Sequence, residues 1–178
     1  MEALQQLAAA FPESTKDIRM NLTSVLQQSS LSPAQKLGVA LAVAHAARSP
    51  ALVAALAAAA GDVLTAAVAA DAQAAAALMA MNNVYYRFRH MVGKPEYEQI
   101  PPRLRMQRLA APASDKIDFE LFALAVSAVN GCATCVQAHE RVVTEGGLST
   151  AHVNDAVRIA AVVNAAATTL AMTLPVSA

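Results

Sequence analysis

The chain has 178 residues, the length of one ordinary domain, and 44 of them are alanine. Its 13 Lys and Arg balance 13 Asp and Glu, which argues against a nucleic-acid-binding protein, because such proteins draw affinity from neutralising phosphates. Helix formers dominate and β-branched alternation is almost absent, so the composition predicts an all-α protein.

A core built from alanine gains little stability from each buried side chain. Burying one methyl group contributes about 0.8 kcal/mol, against about 1.5–3 kcal/mol for a leucine or phenylalanine. Close helix packing offsets part of this difference, and a buried subunit interface supplies more. The alanine content therefore leads us to expect a homo-oligomer.

The apolar segments are expected to be buried helices of a cytoplasmic protein. Met1-Glu2-Ala3-Leu4 carries an acidic residue where a secretory signal has lysines. Residues 51–81 and 159–178 are apolar, but polar residues and a proline interrupt them, which makes both poor membrane spans. The chain has no basic amphipathic stretch typical of a helix lying on a membrane surface.

Prolines, serines and glycines set the predicted helix boundaries. Ser32-Pro33 and Ser49-Pro50 each place an N-cap hydroxyl before a first-turn proline, and Gly61, Gly131 and Gly146 mark helix ends. Residues 92–102 form the one substantial predicted loop. The predicted helices cover residues 2–10, 14–28, 33–47, 50–60, 63–91, 103–110, 115–130, 132–145 and 149–173.

An internal repeat is suggested when residue n is aligned with residue n + 83. Ala40-Leu41-Ala42-Val43 then meets Ala123-Leu124-Ala125-Val126. On this alignment the single domain, 1–178, contains two pseudo-equivalent hairpins in its halves 1–92 and 103–178, and only the second carries chemistry. Because alanine-rich segments match one another easily, chance similarity is the alternative. The positions Leu37, Leu52 and Leu56 correspond to Glu120, Cys135 and His139.

The two cysteines of the chain form one Cys-x-x-Cys motif, Cys132 to Cys135, directly after Asn130-Gly131. Because Asn-Gly stops a helix, we expect the pair to open the next one, where free N–H groups and the helix dipole lower a thiol pKa. Three residues make about one helical turn, so the two sulfur atoms share a face and can form a disulfide.

Two further polar residues are predicted beside the thiols. His139 lies one turn beyond Cys135 on the same helix face. Glu120 lies on the preceding apolar helix, and in an antiparallel hairpin it comes level with His139, about 10 Å along the axis from Cys135. The carboxylate is expected to act through the imidazole, directly or through a water, holding one tautomer and taking up thiol protons.

Each of these residues also has a simpler interpretation. Cys-x2-Cys-x3-His together with Glu120 gives four ligands for zinc, although no second Cys/His cluster is present. The cysteines are otherwise an inert buried pair, and Glu120 is otherwise a first-turn acid that complements the helix dipole. The remaining histidines have no acidic or thiol partner at useful spacing and are expected to be structural or surface residues: His45, His90 and His152.

The Glu-x11-Cys-x2-Cys-x3-His spacing, with Asn-Gly before the first cysteine, resembles the AhpD group of alkyl hydroperoxidases within the carboxymuconolactone-decarboxylase-like fold. The resemblance spans nearly the whole chain and includes Met81-Asn82-Asn83-Val84-Tyr85-Tyr86-Arg87 and Leu104-Arg105-Met106. It implies an AhpD-like helical bundle that forms a homotrimer. It also implies a peroxidase that reduces the peroxiredoxin AhpC with electrons from dihydrolipoyl groups of a 2-oxoacid dehydrogenase component.

The same resemblance implies roles for four residues. Cys135 is the thiolate oxidised to sulfenic acid, Cys132 is the proton donor and resolving thiol, and Glu120 and His139 are the proton relay. Some members carry a second histidine between the cysteines, where this chain has Thr134. We therefore expect the relay to depend on the Glu120–His139 route.

Two observations from the residues complete this hypothesis. A sulfenic acid beside a second thiol condenses to a disulfide, which an external dithiol must then reduce. The chain has no nucleotide-binding fingerprint, so we expect no tightly bound cofactor and a protein-borne reductant. The segment from Met79 to Arg89 combines methionine, tyrosine and arginine on one helix, which is typical of a core or subunit contact but also of a substrate entrance.

Two other functions compete with the hydroperoxidase. A decarboxylase-like enzyme on the same fold would keep its activity after alkylation of the cysteines. A thiol redox sensor would change its assembly or partner on oxidation but would show no turnover with any dithiol.

Overall fold

A computed structural model describes residues 1–172 of the chain, and this part is all-helical, as predicted. Its α-helices are α1 Glu2–Ala9, α2 Lys16–Val25, α3 Pro33–Ala46, α4 Pro50–Ala60, α5 Ala66–Val92, α6 Pro95–Gln99, α7 Gln107–Ala110, α8 Lys116–Val129, α9 Ala133–Glu145 and α10 Thr150–Met172. Single 3-10 turns at Glu13–Thr15 and Gly61–Val63 precede α2 and α5. Residue 173, the predicted end of the last helix, lies outside the described residues.

The structure differs from the prediction over residues 92–110, and one predicted N-cap lacks its side-chain bond. The predicted loop 92–102 contains the short helix α6, which begins at Pro95, a residue preorganised for a first turn. The predicted helix 103–110 is reduced to α7, since Arg103 has a positive φ of 51° and residues 101–106 are not helical. Ser49 is the N-cap of α4 but makes no capping bond with its side chain, whereas Ser32 forms a full capping box with Gln35.

Helix α3 lies at the centre of the hydrophobic core. Every residue from Leu37 to Ala44 is buried, and α3 packs against α4, α5, α8 and α10. Phe119 and Phe122 of α8 are fully buried beside it. At Gly38 the Phe122 ring occupies the space where a Cβ would lie, so the absent side chain allows α3 and α8 to pack closely.

Helix α10 is long and apolar enough to span a membrane by length and composition alone. In this structure its buried residues, which include Ile159 and Val163, pack into the core. Asp155 on the same helix accepts hydrogen bonds from the backbone and hydroxyl of Ser30, at 2.6 and 2.8 Å, and from Arg158 at 2.8 Å. These contacts fix α10 against the segment that precedes α3, in agreement with the prediction of a core helix.

A buried carboxylate holds the segment between α6 and α8 against α5. Asp71 is fully buried and accepts hydrogen bonds from Arg108, Ala113 and Ser114 at 2.6–3.0 Å. Burial alone would raise the pKa of Asp71, but these N–H and O–H donors and the Arg108 charge lower it below its usual value. The anchored segment includes α7, which carries Leu109 into the functional site described below.

Candidate functional site

The turn between α8 and α9 presents both cysteines at the start of a helix, as predicted. Gly131 has a φ of 67°, a left-handed conformation that favours glycine, and it ends the turn after Asn130. Cys132 is the N-cap of α9 and donates its backbone N–H to the Ser127 carbonyl at 3.1 Å. Its side chain is joined to Cys135, in the first turn, by a disulfide.

The two sulfur-bearing residues differ in their access to the exterior. Cys132 is completely buried, whereas Cys135 is 7% exposed. Cys135 lines a cavity of about 350 Å³ together with His139 and Thr134. A small solute in this cavity would therefore meet Cys135 rather than Cys132. The remaining lining residues are Met79, Asn82, Tyr86, Met106, Leu109 and Ala138.

Glu120 and His139 are brought into direct contact by the α8–α9 hairpin. His139 Nδ1 lies 2.6 Å from Glu120 Oε2, with side-chain exposures of only 12% and 10%. No bridging water is needed at this distance. A carboxylate hydrogen-bonded to one ring nitrogen fixes the orientation and tautomer of an imidazole, and low exposure strengthens that hydrogen bond.

The other ring nitrogen of His139 faces a thioether. Nε2 lies 3.3 Å from Met79 Sδ on α5. Because a thioether sulfur can only accept a hydrogen bond, this contact is a hydrogen bond only when Nε2 carries the ring proton. Within residues 1–172 no hydrogen bond joins His139 to the sulfur of Cys132 or Cys135, and its two ring nitrogens contact Glu120 and Met79 instead.

A group of amides ties α5 to the turn that holds the cysteines. Asn83 donates to Ser127 Oγ at 2.9 Å and to Met79 Sδ at 3.7 Å, and accepts from Asn130 Nδ2 at 2.9 Å. Arg87 donates to the Asn130 carbonyl. This network was not predicted, since the hydrogen bonds that join α5 to Ser127 and Asn130 span more than 40 residues of the chain.

The segment from Met79 to Arg89 is divided between the site and the surface. Met79 and Tyr86 line the cavity with Cys135, while Arg89 stacks on Tyr85 with its guanidinium 5.7 Å from the ring centroid. Tyr86 and Thr134 also line a neighbouring cavity of about 300 Å³, together with Arg89, His90 and Glu98 of α6. This patch therefore supplies part of the site, and the exposed His90 lies near it.

Asn82 is a further residue that the sequence analysis did not select. It is 4% exposed and lines the cavity with Cys135. Asn82 lies three residues after Met79 and four residues before Tyr86. This helical spacing is the signal that could have placed it on the same helix face as those two residues. No group of three or more His, Cys, Asp and Glu side chains positioned to hold a metal ion occurs in the described part of the chain.

Comparison with known proteins identifies close relatives over almost the full chain. Residues 95–176 match the model of the carboxymuconolactone decarboxylase family. The chain is 62% identical to alkyl hydroperoxide reductase AhpD of Anaeromyxobacter dehalogenans (strain 2CP-C) over 96% of its length and 91% of the relative. It is 49% identical to the protein of that name from Bradyrhizobium sp. (strain BTAi1 / ATCC BAA-1182), over 99% of both chains. The corresponding protein of Rhodospirillum centenum (strain ATCC 51521 / SW) is 50% identical over 94% of this chain and 90% of its own.

Proposed function

The chain belongs to the family of alkyl hydroperoxide reductase AhpD proteins, and we propose that Cys132 and Cys135 are the redox centre with which it reduces organic hydroperoxides. One observation carries this proposal. The two cysteines form a disulfide at the N-terminus of α9, and Cys135 lines a largely apolar cavity beside the Glu120–His139 pair.

Cys135 is the residue that attacks the hydroperoxide. In the reduced protein its thiolate is stabilised by the free N–H groups and the dipole at the start of α9. The thiolate sulfur bonds to the terminal oxygen of the hydroperoxide, the O–O bond breaks, and the departing alkoxide takes up a proton to leave as an alcohol. Cys135 is left as a sulfenic acid.

Cys132 donates the proton to the departing alkoxide and then acts as the resolving thiol. Its complete burial protects it from competing reactions in solution, and its position at the N-cap keeps it one turn from Cys135. The Cys132 sulfur attacks the sulfenic sulfur, the S–O bond breaks, and the hydroxyl leaves as water when it takes up a proton. The product is the Cys132–Cys135 disulfide.

The Glu120–His139 pair supplies and removes protons during this sequence. His139 and Cys135 line the same cavity although no hydrogen bond joins them, so the transfer passes through a water or the substrate held there. The Thr134 side chain is exposed and cannot act as an acid or base at neutral pH. The pair therefore provides the route that a second histidine provides in other members.

An external dithiol returns the disulfide to its reduced state. We propose a dihydrolipoyl group of a 2-oxoacid dehydrogenase component as the donor and the peroxiredoxin AhpC as a further acceptor of electrons. Methionine, tyrosine and leucine side chains line the cavity, which suits the aliphatic arm of a lipoyl group. Two electrons and two protons pass from the dithiol to the protein, and the donor becomes a cyclic disulfide.

The internal repeat of the sequence analysis is part of the proposal. Helices α3 and α8 both have 14 residues, and Gln35 donates to Asp118 at 2.8 Å across a separation of 83 residues. At the ends of these helices, Ser49 N–Ala44 O and Cys132 N–Ser127 O are equivalent hydrogen bonds, both 3.1 Å long. These correspondences favour two related halves within one domain.

A cytoplasmic homotrimer completes the proposal. Helix α5 exposes three large apolar residues at spacings typical of one helix face, and such a surface favours burial against another subunit. Light scattering of the purified protein would test the assembly. The three residues are Val84, Phe88 and Met91, at 60%, 46% and 76% exposure.

The function is tested by counting thiols through one redox cycle. Treatment of the reduced protein with cumene hydroperoxide should remove two thiols per chain, and dihydrolipoamide should restore both. Cys135→Ser should abolish peroxide turnover, whereas Cys132→Ser should trap a sulfenic acid at Cys135. Peroxide turnover that is unchanged in both variants would end this proposal, and a decarboxylase activity that survives alkylation of the cysteines would support the alternative enzyme. Oxidation without turnover would support a sensor.

A further inference from the structure

Asn82 has a buried polar atom with no hydrogen-bond partner among residues 1–172. This atom is Oδ1, and the residue is only 4% exposed. The adjacent Asn83 is equally buried, but its amide is satisfied by Ser127 and Asn130. An unpaired buried acceptor is unfavourable and rare in folded proteins, and Asn82 belongs to the wall of the cavity that holds Cys135, so its amide would gain a hydrogen bond from a ligand that donates to it there.

The position of Asn82 places this acceptor at the reacting end of the cavity. Met79 of α5 contacts His139, and Tyr86 shares two cavities with Thr134, so α5 and α9 cross the cavity in opposite directions. Asn82 lies between Met79 and Tyr86 on the same face of α5. It is therefore level with the part of α9 between Cys135 and His139.

We propose that the Asn82 side-chain oxygen, which is shielded in this structure, turns into the cavity by rotation of the amide and accepts the hydrogen bond of the O–H group of a bound hydroperoxide. The inference rests on the proposed function and adds a residue that touches the substrate. The oxygen that bears this hydrogen is the atom that Cys135 attacks, so it must lie within reach of both residues. The amide of a lipoyl arm fits this position less well, because several methylenes separate it from the reacting dithiol.

The hydrogen bond has a role throughout the first step. When the Cys135 sulfur bonds to the terminal oxygen and the O–O bond breaks, that oxygen keeps its hydrogen and becomes the hydroxyl of the sulfenic acid. The proton for the departing alkoxide comes from Cys132, as proposed above. Asn82 can thus hold the same O–H group in the substrate and in the product, and orient the oxygen before attack.

Asn82→Leu tests this assignment, because leucine has a similar size and cannot accept a hydrogen bond. Two half-reactions are measured separately in wild type and variant: oxidation of the reduced protein by tert-butyl hydroperoxide, and reduction of the disulfide by dihydrolipoamide. The rate constant for oxidation should fall about tenfold, the effect of one lost hydrogen bond, while that for reduction should stay within about twofold. Asn154→Leu, at an exposed position of α10, is the matched control and should change neither.

Thermal stability separates this role from a structural one. Since Asn82 Oδ1 has no hydrogen-bond partner in the described part of the chain, Asn82→Leu should leave the melting temperature unchanged or raise it. Asn82→Ala provides a second variant if leucine does not fit. An unchanged oxidation rate, or an equal fall in both half-reactions, would overturn the assignment. A fall in the rate constant for reduction alone would indicate that Asn82 contacts the dithiol, and it would also overturn the assignment. If wild type itself is not oxidised, the proposed function fails and the assignment with it.

Discussion

Glu120→Gln removes the negative charge of the buried pair and keeps its size. The Oε2–Nδ1 distance of 2.6 Å and the low exposure of both side chains describe a hydrogen bond of the charge-assisted kind, which contributes about 1.5–3 kcal/mol. If this energy stabilises the imidazolium that forms during proton transfer, its loss lowers kcat/KM for hydroperoxide by about 10- to 100-fold. Because glutamine can still donate to or accept from His139, the geometry of the hairpin is retained.

The assay is stopped-flow oxidation of the reduced protein between pH 5 and pH 8. Wild type and variant should differ in the shape of the rate profile as well as in the rate, since the substitution removes the carboxylate from the proposed proton relay. Glu145→Gln, an exposed residue at the end of α9, is the control for the general effect of a lost charge. A Glu120→Gln profile that coincides with that of wild type would refute the relay.

Two further predictions concern stability and are measured by urea unfolding. Asp71→Asn should lower the free energy of unfolding at pH 7 by about 3 kcal/mol, whereas the exposed Asp62→Asn should have little effect. Because the folded-state pKa of Asp71 is lowered, its stabilisation is present above the unfolded value of about 3.9 and is lost as the pH falls through the folded value. The loss of unfolding free energy caused by Asp71→Asn should therefore be smaller at pH 3 than at pH 7. An equal loss at both pH values would contradict this assignment. Gly38→Ala places a methyl group in the Phe122 ring and should destabilise by about 1–3 kcal/mol; Phe122→Leu in the same chain should recover part of that loss, and simple addition of the two effects would argue against the contact.

The parts of the site that lie close together in sequence were predictable from local signals. Asn-Gly ends a helix in almost any context, which placed Cys132 at the start of the next one. The Glu120–His139 contact followed from the geometry of one hairpin with a short turn. Spacing along two adjacent helices is sufficient for such contacts because the turn fixes their register.

The contribution of α5 was not predictable in the same way. Met79 contacts His139 across 60 residues of sequence, and Asn82 reaches the cavity only because α5 crosses α9 at that point. Alanine is frequent on all sides of α5 up to Ala80, and apolar and polar residues are mixed beyond it, so the hydrophobic periodicity of this helix gave little indication of which face meets α9. Helix α6 was missed for a different reason, since a five-residue helix is too short to show a period.

The proposed n + 83 repeat would account for the number of buried polar groups at the site. On the proposed repeat, the positions of Glu120, Cys135 and His139 are occupied by leucines in the first half, where they are 0–8% exposed. Each buried leucine contributes about 1.5–3 kcal/mol, whereas a buried carboxylate or imidazole must be compensated by hydrogen bonds. On this proposal the first half uses these positions for stability, and the second half uses them for chemistry. The three leucines are Leu37, Leu52 and Leu56.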